Sequence, residues 1–172
     1  YQGDATLIDI VKNRDPRLNQ TVCVNDNLHP RTNNRPGGLP NEEFTNPIVD
    51  QATEDNCSTG FQRYKGTDPN YVKQFNGMGD AGLIFFRYAE VLLTYAEAKA
   101  ELGTITQADL DLSINKLRDR VQMPNLVLGS IVTDANWGFP ALSPIINEVR
   151  RERRIELAVE GFRHDDIWRW AA

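Results

Sequence analysis

From Leu83 to Leu102 the chain runs without a Gly or Pro, and Gly103 follows at once. Within that run Ile84, Tyr88, Val91, Leu92, Tyr95, Ala98 and Leu102 recur at helical spacing. Arg87, Glu90, Thr94, Glu97 and Glu101 recur on a second face. Two stripes of opposite character over so long a stretch predict an amphipathic helix, ended at Gly103 by a left-handed cap. Thr106 then has the character of an N-cap, with Asp109 in the acidic capping position three residues on. Leu110, Ile114, Leu117 and Val121 give the next helix its apolar stripe, and Pro124 marks its end. Two helices joined by so short a turn must lie antiparallel and hide their stripes against each other. The pair spans roughly the length of one tetratricopeptide unit. A lone pair cannot bury its outer faces, so further pairs are expected before residue 1.

Ahead of these helices the chain has a different character. Residues 1–82 are expected to form a loop-rich segment, and 83–172 a helical one, the two being parts of one larger domain. Ala5 to Lys12 reads as a short helical or extended opening, and Pro16 pushes Asp15 away from helix. Thr21 to Val24 and the alternating Gly60 to Lys65 read as short strands. His29 to Pro40 is punctuated by Pro30, Pro36, Gly37, Gly38 and Pro40 and reads as a loop. Asp68–Asn70 and Asn76–Gly79 read as turns. Past the helical pair, Leu126 to Leu142 is looser and holds Trp137-Gly138-Phe139-Pro140. A third helix is predicted from Ser143 as N-cap and Pro144 at the first position, running to Glu160 before Gly161. Asp165 to Trp170 forms a short amphipathic tail. The fold class read this way is mainly α, with helix pairs, an irregular segment and a few short strands.

Composition narrows the function. Nineteen Lys and Arg stand against 24 Asp and Glu, a net charge of −5. That balance gives no basic face for nucleic acid. No run of about 18 apolar residues is present to span a membrane, and no signal peptide opens the chain. The chain begins at Tyr1 and stops just after an aromatic-rich run, so both ends are expected to be cuts within a longer exported protein. The two cysteines, Cys23 and Cys57, read equally as buried thiols or as a disulfide. Two histidines far apart, His29 and His164, offer no zinc site. No metal or cofactor is expected.

The third helix carries the feature that needs explaining. Ile145, Val149, Glu152, Glu156 and Val159 share one face, so two carboxylates occupy places where apolar side chains belong. From Ile145 to Trp170 six acids accompany six arginines, leaving no net formal charge. Three readings compete. The acids and arginines could form a solvated face of weak surface pairs. Glu152 and Glu156, one turn apart, could work as a catalytic acid and base. Dense arginines would hold both acids ionised, however, and a general acid needs a raised pKa. The favoured reading is a buried ion network of Arg87, Arg118, Glu152, Arg153, Glu156 and Arg163, with Arg120 as a further candidate, tying this helix to the pair.

At these residues the chain resembles a known family. Phe86 to Leu93 followed by Tyr95-Ala96-Glu97-Ala98 is similar to a helix motif of the SusD/RagB outer-membrane lipoproteins. Ile114 to Val121 resembles that family's next helix, and Glu152 to Arg163 with Asp166 and Arg169 resembles its C-terminal signature. Arg14 to Leu18, and Thr59-Gly60-Phe61 with Lys65, fit its less regular segment. The resemblance implies a superhelix of tetratricopeptide-like pairs decorated by loops. It implies a non-enzymatic protein on the extracellular face of the outer membrane in Bacteroidetes, held there by an N-terminal lipid that this chain does not include. It further implies capture of oligosaccharide or polysaccharide, or sometimes peptide, for import through a SusC-like TonB-dependent transporter. A helical protein–protein interaction module is the alternative, and a glycoside hydrolase using Glu152 and Glu156, or loop acids such as Asp50 and Asp55, is the third.

The matched motifs read as structural, so the ligand would be held elsewhere. Sugar sites pair aromatic rings with amides and charges. The loop aromatics are Phe44, Phe61, Tyr64, Tyr71, Phe75, Trp137 and Phe139. Trp137 beside Asn136 is the leading candidate for sugar contact, with Tyr64 and Tyr71 behind it. Each competes with a plain packing role, Trp137 as a plug between helices.

Overall fold

A computed structural model describes residues 5–24, 49–50, 57–66, 82 and 84–171. The expected loop His29–Pro40, the turns at 68–70 and 76–79, and Phe44, Asp55, Tyr71 and Phe75 lie outside the described residues. The chain divides into two compact units, Tyr1–Leu83 and Ile84–Ala172. It is mainly helical, and the described residues include no sheet.

In the first unit, α1 (Leu7–Val11) is capped by Thr6, whose hydroxyl accepts from the Asp9 amide at 3.2 Å. α2 (Arg17–Thr21) follows Pro16, and Asp15 grips Arg17 through both its backbone and its guanidinium. The expected strands reduce to one antiparallel bridge between Val22 and Arg63. Thr21 is spent on closing α2, so only the residues after it are extended. Gly60 and Gly66 have φ of +71° and +79° and break the other segment at both ends. Cys23 and Cys57 are not joined by a disulfide.

The second unit holds α3 (Tyr88–Glu101), α4 (Gln107–Leu112), α5 (Ile114–Arg120), α6 (Pro144–Glu156) and α7 (Arg163–Trp170). α3 starts at Tyr88, five residues later than the pattern predicts, because Arg87 is extended at φ −135° and ψ 154°. Its guanidinium is engaged with α6, and the apolar residues Ile84, Phe85 and Phe86 before it are exposed rather than helical. Gly103, at φ +67°, ends α3. The Gly103 amide donates to Ala100 O and the Thr104 amide to Lys99 O, both at 3.0 Å, the paired bonds of a Schellman cap. Thr106 opens α4 with a full capping box. Its hydroxyl accepts from the Asp109 amide, and the Asp109 carboxylate accepts from the Thr106 amide at 2.9 Å.

Two expectations fail in instructive ways. The second helix breaks at Ser113 (φ −121°, ψ −91°), whose hydroxyl donates to Asp109 O at 2.5 Å. A serine that bonds the carbonyl one turn back competes with the helix ladder. The third helix stops at Glu156, and Val159 lies beyond it, exposed, at φ +60°. A β-branched residue rarely holds that conformation. Here the turn brings Glu160 back to Arg87, 2.6 Å from its Nε. Ser143 precedes α6 but makes no side-chain cap. Buried Asn147 instead donates to the carbonyls of Phe139, Leu142 and Ser143 and pins the approach to the helix.

The core is built from α3, α4, α5 and α6. Ala96, Ala100, Leu110, Ile114, Leu126 and Val149 form one cluster. Ala89, Leu92, Leu93, Leu117 and Leu157 form another. On α3 the buried face is therefore Ala89, Leu92, Leu93, Ala96 and Ala100, not the stripe that the spacing picks out. Of that stripe Leu92 alone is buried, while Tyr88, Val91, Tyr95, Ala98 and Leu102 are exposed. Small alanines admit neighbouring helices closely beside Leu92 and Leu93, and Tyr88, Val91 and Tyr95 face outward.

Candidate functional site

Two features of the second unit could carry function: a network of arginines and acids at the helix junction, and a cleft beside Trp137.

The network is anchored by acids of α6. Glu156, whose side chain is 1% exposed, meets Arg87 Nη1 at 2.8 Å and Arg120 Nη2 at 2.9 Å. Arg87 also donates Nη2 to the Glu156 carbonyl at 2.8 Å and clasps Glu160 through two nitrogens. Burial pulls down on the Arg87 pKa, but hydrogen bonds to Glu160 and Glu156 outweigh it and the net direction is upward. Glu152, equally buried, receives Nε and Nη2 of Arg118 at 3.0 and 2.9 Å. Arg153 places Nε 2.9 Å from both oxygens of buried Asp166, which Arg169 Nη2 meets at 2.7 Å. Arg169 continues to Glu97 on α3, at 2.7 Å, and this hydrogen bond raises its pKa above the ordinary arginine value. The Trp170 indole also donates to Glu97.

Arg87, Arg118, Arg153, Glu152 and Glu156 are thus brought together across α3, α5, α6 and α7. Arg163 is not among them. It is exposed, joins no ion pair among the described residues, and sits 5.7 Å above the Trp170 ring. Its place in the sequence put it near the acids, but α7 begins there and turns the side chain to another face. Sequence reasoning missed Glu97, Asp166 and Arg169 as members. Glu97 lies on the polar side of the stripe that proved to be exposed, so it read as a surface residue. The spacing of Asp166 and Arg169, three apart on a short helix, was the available signal.

A further buried acid sits on α4. Asp109 accepts from the Tyr95 hydroxyl and from Thr106, which together hold its carboxyl far below the ordinary range. The same bond raises the Tyr95 phenol.

The cleft lies beside α6, where Asp134 and residues 136–139 meet Arg150, Arg151, Arg154, Arg163 and Trp170, and its volume is about 150 Å³. Trp137 and Asn136 both line it. Trp137 is half-buried, its indole nitrogen 3.4 Å from Glu148 Oε1, and Asn136 is exposed. Phe139 and Trp170 meet edge to face at 5.8 Å, with the Arg150 guanidinium 4.6 and 4.9 Å from their centroids. A larger, more open hollow of about 580 Å³ adjoins it, lined by residues 130–135 and by Arg118, Glu148 and Arg151. The second unit does not contain Tyr64. That residue is half-buried in the first unit, with its amide bonded to Thr21 O at 2.8 Å. Among the described residues no group of three or more His, Cys, Asp or Glu side chains is placed to hold a metal ion. None of the described helices is long and apolar enough to cross a membrane.

A sequence profile of the SusD family matches residues 1–172. The chain belongs to the SusD family. The SusD-like protein P38 of Formosa agariphila is 36% identical over 90 residues, a stretch covering 52% of this chain and 17% of that relative. The chain thus matches only a small part of its relative's length. No solved structure matches significantly. Membership in the SusD family agrees with the mainly helical build and places the arginine-rich stretch within the matched region.

Proposed function

We propose that this SusD-family chain is part of a cell-surface protein that captures glycans and passes them to a SusC-like TonB-dependent transporter, and that it is not an enzyme. Family membership over the whole chain is the observation that carries this reading. The geometry supports it from two sides. Glu152 and Glu156, the acids a hydrolase would need, are buried and held by guanidinium groups. Side chains 1% exposed behind guanidinium groups cannot reach a glycosidic oxygen, and a general acid must lie within hydrogen-bond reach of the atom it protonates. The cleft at Trp137 and Asn136 supplies what sugar recognition uses, an aromatic ring with amides and charges around it.

The same reading places the protein at the extracellular face of the outer membrane of a Bacteroidetes cell, tethered by a lipid on a preceding segment. It also makes the helices part of a tetratricopeptide-like superhelix within one larger domain. The outer face of α3 supports this last point, since Tyr88, Val91 and Leu102 are 64%, 59% and 74% exposed. Neighbouring repeats cover such faces in stacked helix pairs. That exposed face also favours the alternative, a helical module that binds a protein.

Glycan-array screening followed by calorimetry and product analysis tests the proposal. Binding without release of shorter sugars is the expected result, together with co-purification of a large β-barrel from native membranes. Steady production of cleaved sugar would sink it.

A further inference from the structure

The cleft beside Trp137 holds more positive charge than its own carboxylates offset. Arg150, Arg151, Arg154 and Arg163 border it, against the single lining acid Asp134. Arg151 is committed, 2.6 Å from Glu148 and 3.7 Å from Asp134. Arg150 is more than nine-tenths buried and gives Nη2 to Glu101 at 2.9 Å, but its Nε and Nη1 meet no acceptor among the described residues. Those two nitrogens are buried where the guanidinium packs on the Phe139 and Trp170 rings, so Arg150 lends the cleft positive charge from behind its wall. Arg154 and Arg163 are exposed and join no ion pair or hydrogen bond among the described residues.

Arginine donates and never accepts. A neutral sugar presents hydroxyls that need both donors and acceptors, so a wall of guanidinium groups serves it poorly. An oxyanion with several acceptor oxygens suits that wall, because the planar fork matches carboxylate and sulfate alike. The volume of about 150 Å³ admits one such group with part of its sugar ring, and not a folded partner.

We propose that the cleft is a subsite for the anionic group of an acidic glycan, a uronate carboxylate or an ester sulfate, held by Arg154 and Arg163 with Arg150 behind them and with the ring against Trp137. This deepens the glycan-capture reading and rests on it. Titration calorimetry of the chain with tetragalacturonate, a sulfated carrageenan tetrasaccharide and neutral cellotetraose tests it. An acidic tetrasaccharide is expected to bind at least about tenfold more tightly than the neutral one. Its affinity should fall as salt is raised. Which acidic probe prevails tells carboxylate from sulfate.

The doubly substituted Arg154→Gln, Arg163→Gln chain should keep its circular dichroism, since both side chains are exposed, and lose about tenfold or more in acidic-sugar affinity. In Trp137→Ala every bound sugar should weaken, whatever its charge. Equal affinity for neutral and acidic probes, unmoved by the double substitution, would overturn the anionic subsite and leave glycan capture standing. Failure of both acidic probes to bind would overturn the anionic subsite, and the array screen decides glycan capture separately.

Discussion

Asp109 shows how a single carboxylate can serve two structures at once. It closes the capping box of α4 and receives the Tyr95 hydroxyl from α3, so it joins the two helices at their turn. Hydrogen bonds from Tyr95 and then Thr106 depress its pKa. An unfolded aspartate titrates near about 3.9. A depressed native pKa therefore contributes stability that is fully present above that value and is lost as pH falls toward the native one. Asp109→Asn should be less stable than the parent chain in urea at neutral pH, and the gap should close as the pH is lowered below about 4. A gap that stays constant down to strongly acidic pH would mean that the charge of Asp109 contributes nothing.

At the scale of elements, amide side chains do the work that hydrophobic pattern cannot report. Asn115 on α5 accepts from the Leu126 amide at 2.7 Å and donates to its carbonyl at 3.1 Å. Gln107 on α4 pairs in the same way with Leu126 O and the Leu128 amide. Together they fasten the segment that leads into the larger hollow. Asn115→Ala leaves the buried Leu126 amide without its acceptor, and an orphaned buried group costs about 1–3 kcal/mol. Denaturant titration should register that loss, and amide exchange should quicken at Leu126. Helix existence was legible from Gly103, Thr106, Pro124 and Pro144, which act through local backbone chemistry. Helix faces were not. α3 is apolar on two sides, so spacing alone could not tell the alanine face that packs inward from the tyrosine and valine face that points out. Ser113 and Val159 depart from pattern because a hydroxyl in one case, and the Glu160–Arg87 pair in the other, override local preference.

Across the whole unit the acids and arginines form a clasp that spans four helices. Its center was readable, since carboxylates on an apolar stripe need compensating charge wherever they are buried. Its periphery was not, because Glu97, Asp166 and Arg169 come together only after α7 folds back toward α3. The cleft around Trp137 was legible as an aromatic and an amide side by side. The arginine wall was not, because nothing in the order of Arg150, Arg154 and Arg163 tells which of them turn away from the acids. Networks of this kind cost desolvation to assemble, and their signature is the penalty for removing one partner.

Glu156→Ala tests the clasp most directly. It takes the buried carboxylate away from Arg120, which is 50% exposed, and from Arg87, which keeps Glu160, and removing one partner of a fully buried pair sets the upper limit of the cost at about 3–5 kcal/mol. Urea denaturation followed by circular dichroism should show a clear loss within that limit, or an insoluble chain. A Glu156→Ala chain as stable and soluble as the parent would contradict a structural role for the network.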